Sequence, residues 1–184
     1  MGFLSALRSP KATVAVQLGK DTFSLREPLA GNVNVSSSEE FDADEIRIEL
    51  WVTEWTRATE QKQLPGQPPG QQRTTPITAQ QTTKLHESKN VIGGRQHITA
   101  GFNSTMPFSI HLPSGIPPTY RSQNVRTTWM LKGVIAVKGR PDVTGYDTEV
   151  VITYYADGSP QSQPTRQGLE LDPPSPQCSL LGQL

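Results

Sequence analysis

Residues 125–137 read Val125-Arg126-Thr127-Thr128-Trp129-Met130-Leu131-Lys132-Gly133-Val134-Ile135-Ala136-Val137. Side chains alternate with period two along an extended chain. Val125, Thr127, Trp129, Leu131, Gly133, Ile135 and Val137 therefore share one side, and Arg126, Thr128, Lys132 and Lys138 the other. This pattern predicts a long strand buried on one face. Such a strand needs a second apolar layer, so the fold depends on whether the rest of the chain supplies further alternating sets.

Further sets are present. Val14, Val16 and Leu18 alternate with Ala15 and Gln17, Gly19-Lys20-Asp21 interrupts them, and Phe23 and Leu25 resume as a short extension. Leu29, Gly31, Val33 and Val35 form the next set, closed by Ser36-Ser37-Ser38. From Glu45, the residues Ile46, Ile48, Leu50 and Val52 point one way, and Glu45, Arg47, Glu49, Trp51, Thr53 and Trp55 the other. Ile77 to Leu85, rich in Thr and Gln, suits an exposed or edge strand. Gln96 to Leu112 carries apolar residues on even positions from Ile98 onward, with Pro107 inside, which requires a bend, a bulge or an edge there. Glu149 to Tyr155 supplies a last strand.

Seven or eight strands without a helical pattern predict an all-β, two-sheet antiparallel β-sandwich. The composition agrees, since 16 Pro and 15 Gly in 184 residues exceed average usage of about 12% for the two together and disfavour helices. The sandwich is expected over residues 12–156, after an N-terminal leader at 1–11. A mobile loop is expected near 58–76, because Lys62 to Thr75 is almost devoid of apolar residues. The Pro-, Gln- and Ser-rich segment 157–184 reads as a disordered tail.

Composition also narrows function. Lys+Arg and Asp+Glu both number 17, so no basic field favours nucleic acid. A membrane span needs about 18 continuous apolar residues, and no stretch approaches that. The first residues lack a secretory pattern, and Ala6 stands where N-myristoylation wants Ser or Thr. The reading is a cytoplasmic protein. With Cys178 alone, no disulfide framework is available.

Two segments carry a family resemblance. Val16-Gln17-Leu18-Gly19-Lys20-Asp21-Thr22-Phe23, followed by Glu27-Pro28-Leu29-Ala30-Gly31-Asn32-Val33-Asn34-Val35, resembles the opening of arrestin-type N-terminal domains. Met106-Pro107-Phe108-Ser109-Ile110-His111-Leu112-Pro113, running through Pro117-Pro118-Thr119-Tyr120 into Asn124-Val125-Arg126, resembles a second signature of that family. The resemblance spans about Thr13 to Tyr155. It implies an immunoglobulin-like sandwich of arrestin type, similar to short bacterial and archaeal sporulation-control proteins. Arrestins proper have two such sandwiches, and this length fits one, so a clamp between two domains is not implied. Pro117-Pro118-Thr119-Tyr120 also spells a PPxY ligand of WW domains, but it falls in a connector the fold requires and reads as structural.

No catalytic, cofactor-binding or metal constellation is found. His86, His97 and His111 lack metal-ligand spacing, and Gly93-Gly94 lacks the strand-to-helix context of a phosphate loop. The acids from Glu39 to Glu45 read as solvated. Two features suit binding. Trp51 and Trp55 fall opposite the apolar face and either form a partner site or are covered by the neighbouring loop and tail; coverage is the preferred reading, because a bulge after Val52 can reverse parity. Arg126, Lys132 and Lys138 form a positive stripe suited to an acidic peptide, or a merely solvated face. The function expected is therefore a non-enzymatic scaffold or regulatory adaptor that binds a protein partner through a sheet face or an edge strand. The alternative is a structural or assembly protein that self-associates as a homo-oligomer. A hydrolase or metal-dependent enzyme has no residues to carry it.

Overall fold

The computed structural model describes residues 8–63 and 74–154 of the chain. In chain order the strands are β1 (Ala12–Leu18), β2 (Thr22–Ser24), β3 (Leu29–Ser37), β4 (Phe41–Gln63), β5 (Thr74–Gly93) and β6 (Gln96–Ile98). They continue as β7 (Asn103–Ile110), β8 (Tyr120–Arg121), β9 (Val125–Val137), β10 (Val143–Thr144) and β11 (Thr148–Thr153). A small sheet has the order β1-β3-β7, and a large sheet the order β2-β11-β9-β4-β5, with β6 on β4 and β8 and β10 on β9. The result is an all-β sandwich, antiparallel except where β2 runs parallel to β11.

The alternating sets meet between the sheets. Val14, Val33, Val35, Phe108 and Ile110 come from the small sheet, and Ile46, Ile48, Leu50, Val52, Trp129, Leu131 and Ile135 from the large one, all buried. Each such side chain contributes about 1.5–3 kcal/mol on burial, which drives the two faces together. β9 has the parity its sequence dictates: Thr127, Trp129, Leu131, Gly133, Ile135 and Val137 are buried, and Arg126 and Lys138 are exposed. Gly133 lies where β9 packs against β1 of the small sheet. A Cβ there would stand 2.6 Å from Val14 Cγ2, so only glycine admits this approach.

The connector before β9 is held by specific bonds. The Trp129 indole N–H donates to the Pro117 carbonyl at 2.9 Å. Thr119 N–H donates to Ile152 O at 3.0 Å, while its hydroxyl accepts from Ile152 N–H at 2.9 Å and donates to Val150 O at 3.2 Å. Pro118 is buried. Three of the four PPxY residues thus serve the fold, and a WW domain could not reach Pro118 without opening it.

Several expectations are corrected. The Phe23 extension does not prolong β1 but crosses to the large sheet, because Phe23, 2% exposed, is buried beside β11. The even-numbered set from Gln96 to Leu112 is two strands in different sheets, separated by a turn in which Gly101 has φ +84° and donates its N–H to Ser37 O at 2.8 Å. Residues 58–63 and 74–76, expected within a mobile loop, are strand: β4 runs to Gln63 and β5 begins at Thr74, paired from Ala58↔Ala79 to Gln63↔Thr74. Cross-strand partners, including a Thr59–Thr78 hydroxyl contact at 3.4 Å, supply what local composition lacks. Residues 64–73 lie outside the described residues. Of the expected N-terminal leader, residues 8–11 are bonded to the sandwich: Arg8 O accepts from Arg140 Nε at 3.0 Å and Lys11 N–H donates to Glu39 Oε2 at 2.9 Å. Residues 1–7 and the tail at 157–184 lie outside the described residues.

Candidate functional site

The outer face of the large sheet, away from the core, gathers most of the residues singled out in the sequence. Along β4 and β9 the pairs Glu49↔Lys132, Trp51↔Met130, Thr53↔Thr128 and Trp55↔Arg126 stand side by side. Trp51 and Trp55 are both half-buried on this face. The expected reversal of parity does not occur in β4. The bulge lies in β5, where Val52↔His86 is followed by Thr53↔Lys84 and Leu85 is the extra residue. Leu85 packs against the core as a result, while β4 pairs with β9 without a shift from Glu45 to Thr56.

The positive stripe is divided. Lys132 Nζ lies 5.4 Å from the Trp51 ring centroid and 3.5 Å from Glu49 Oε2, so it borders the aromatic pair and its charge is shared with a carboxylate. Arg126 is exposed beside Trp55. Lys138, just past the end of β9, is twelve residues from Arg126, about 40 Å at strand rise, and it lines a separate pocket with Asp42, Asp44, Arg95, Gln96 and His97. Trp51, Trp55, Arg126 and Lys132 therefore form one patch with Met130, and Lys138 does not belong to it.

Sequence reasoning missed the most buried charge on this face. Arg47, 9% exposed, donates from Nη1 to Glu45 at 2.9 Å, from Nε to Glu49 at 3.0 Å and from Nη2 to Asp142 at 3.1 Å. Burial disfavours the charged guanidinium, but the bonds to Glu49, Glu45 and Asp142 outweigh it and hold the Arg47 pKa above its ordinary value. Asp142 also accepts from Val137 N–H at 3.3 Å, so Arg47 pins the β9–β10 turn. The alternation Glu45-x-Arg47-x-Glu49 was a readable signal for two of these partners; Asp142 was not.

In the pocket at the other end, His97 Nδ1 lies 2.8 Å from Asp42 Oδ1 and Nε2 lies 3.3 Å from Glu40 Oε1. The hydrogen bond to Asp42 raises the His97 pKa above its ordinary value, against desolvation and with help from Glu40. A raised pKa gives a stabilising contribution that is full below the unfolded-state pKa and disappears as pH rises through the folded one. NMR titration is expected to show a His97 midpoint above the ordinary histidine value, falling toward it in Asp42→Asn. An unchanged midpoint in that variant would refute the pairing. Among the described residues, no group of three or more His, Cys, Asp or Glu side chains is placed to hold a metal ion. No helix of the described residues is long and apolar enough to cross a membrane.

A two-sheet sandwich with an aromatic patch on an outer face defines a class of β-sandwich proteins, and sequence comparison narrows it. Residues 13–156 match the family described as arrestin (or S-antigen), N-terminal domain, and the chain belongs to that family. Among solved structures it is similar to Spo0M, a sporulation control protein from Bacillus subtilis, with a TM-score of 0.53 and 18% identity. That similarity covers 79% of this chain and spans half, 50%, of the Spo0M chain; it is a likeness of fold. A search of curated proteins gave no match.

Proposed function

We propose that this chain is a non-enzymatic scaffold or regulatory adaptor that binds a protein partner on the outer face of its large sheet. The observation that carries the reading is the patch of Trp51, Trp55 and Met130, with Arg126 and Lys132 at its border. Aromatic and arginine side chains on a rigid surface are the groups that dominate binding energy in protein interfaces. A strand pair holds them in fixed register, so little order has to be gained on binding. Scaffold and adaptor roles exercised through sheet faces are common among arrestin-like folds. The single-sandwich, sporulation-control type of the family and a cytoplasmic setting form part of the same proposal.

The test compares the whole chain with a Trp51→Ala/Trp55→Ala variant and a Lys138→Ala control in partner capture from the native cell. Partners held by the wild type are expected to be lost with the double variant and kept with Lys138→Ala. Each buried aromatic anchor contributes about 2 kcal/mol or more, so the loss should exceed tenfold in affinity. Equal capture by all three proteins would refute the proposed face.

A further inference from the structure

Among the described residues the large sheet ends at β5, which pairs there only with β4. Among the described residues, no other backbone bond reaches β5. Its register against β4 shifts twice, and the extra residues are Leu85 and Ile92. Bulges bend a strand and interrupt pairing, so they set off the regular segment His86–Val91 as the part of the edge able to accept another strand. Glu87, Lys89 and Val91 point to the outer face there and are exposed, while His86, Ser88 and Asn90 point inward and are half-buried.

We propose that a second copy of this chain pairs antiparallel with this segment, about a two-fold axis at Ser88, joining the two large sheets edge to edge. In a two-fold antiparallel pair the axis must fall between a residue and its own copy. An axis at Glu87 would set two carboxylates face to face, and one at Lys89 two ammonium groups. Like charges directly opposite destabilise a strand pair, and opposite charges stabilise it. With the axis at Ser88, Glu87 faces the second copy's Lys89 and Lys89 faces the second copy's Glu87. His86 and Asn90, which can bond to one another, face each other twice. Lys89 is free to take this part, since it has no ion-pair partner among the described residues. Glu87 already meets Lys84 at 2.8 Å, and both side chains are exposed enough to re-pair.

An axis perpendicular to the sheet leaves both copies' Trp51 and Trp55 on the same side. The pairing nonetheless does not depend on that face binding a partner, because it uses only β5.

Sedimentation equilibrium of the full chain tests the proposal. The wild type is expected to dimerise with rising concentration, and Glu87→Lys or Lys89→Glu alone to weaken the dimer at least about tenfold, because each sets like charges opposite one another twice. The Glu87→Lys/Lys89→Glu double variant should restore it, and an equimolar mixture of the two single variants should form a heterodimer. In a Cys178→Ser background, Ser88→Cys should cross-link to its copy under mild oxidation, since opposite residues on antiparallel strands lie within disulfide range, and Asn90→Cys should not. A chain monomeric up to its solubility limit overturns the proposal. So does a dimer indifferent to both charge reversals, or one in which Asn90→Cys cross-links and Ser88→Cys does not. If one reversal fails to fold, the other reversal and the cysteine pair still decide between these outcomes.

Discussion

Trp129→Ala is expected to lower the free energy of unfolding by about 3–5 kcal/mol, the range for removing a buried large aromatic side chain. Trp129 is fully buried in the middle of β9. Its indole N–H is bonded to Pro117 O at 2.9 Å, so truncation opens a cavity between the sheets and leaves a carbonyl of the connector without its partner. Trp129→Phe separates the two effects. It keeps most of the ring volume and loses the bond, at a cost of about 1–3 kcal/mol. Urea denaturation of both variants measures the difference. Equal losses would mean that the ring's volume contributes nothing, contrary to its place in the core.

The second large effect is expected at Gly133. The 2.6 Å approach of a Cβ to Val14 Cγ2 is shorter than any ordinary contact, and valine's branched side chain cannot swing away. Gly133→Ala is expected to cost about 1–3 kcal/mol, as overpacked cores do, and Gly133→Val more. The neighbour supplies the check. In a cycle with Val14→Ala, the double variant should be more stable than additivity predicts by more than about 0.5 kcal/mol, the margin for independent sites. Strict additivity would show that the two sheets adjust without strain at this crossing.

Much of the architecture was legible because burial imposes period two on a strand whatever its neighbours do. Ile46, Ile48, Leu50 and Val52 on β4 and Trp129, Leu131 and Ile135 on β9 all face the core as their spacing required. Pro107 lies on β7, the edge of the small sheet, where a residue without an N–H can be placed. The errors share a cause. Period two runs unchanged through a turn, so the even-numbered residues from Ile98 to Leu112 concealed a crossing from one sheet to the other. Composition described the hairpin ends near 58–76 as loop, because it registers no partner strand.

The candidate site divides in the same way. Parity placed Trp51 and Trp55 on one face and Arg126, Lys132 and Lys138 on one face of another strand. Parity does not state distance, however, and the length of β9 carries Lys138 away from the aromatic pair into a pocket with Asp42 and His97. Which strand a bulge occupies was equally hidden. The extra residue is in β5 at Leu85, so the tryptophans keep the plain alternation of β4.

The alternation of apolar residues, the breakers between them and the two signature segments determined by themselves that this chain is an all-β sandwich of the arrestin N-terminal family. These are local properties, set by the geometry of an extended chain and by what each side chain loses in water. Only the tertiary structure decided which strands are neighbours, that Arg47 binds Asp142, that Trp51 and Trp55 sit beside Met130 and Lys132, and that β5 is an edge among the described residues. Those facts depend on pairing between segments far apart in sequence, where the contact energy belongs to both partners and neither strand alone encodes it.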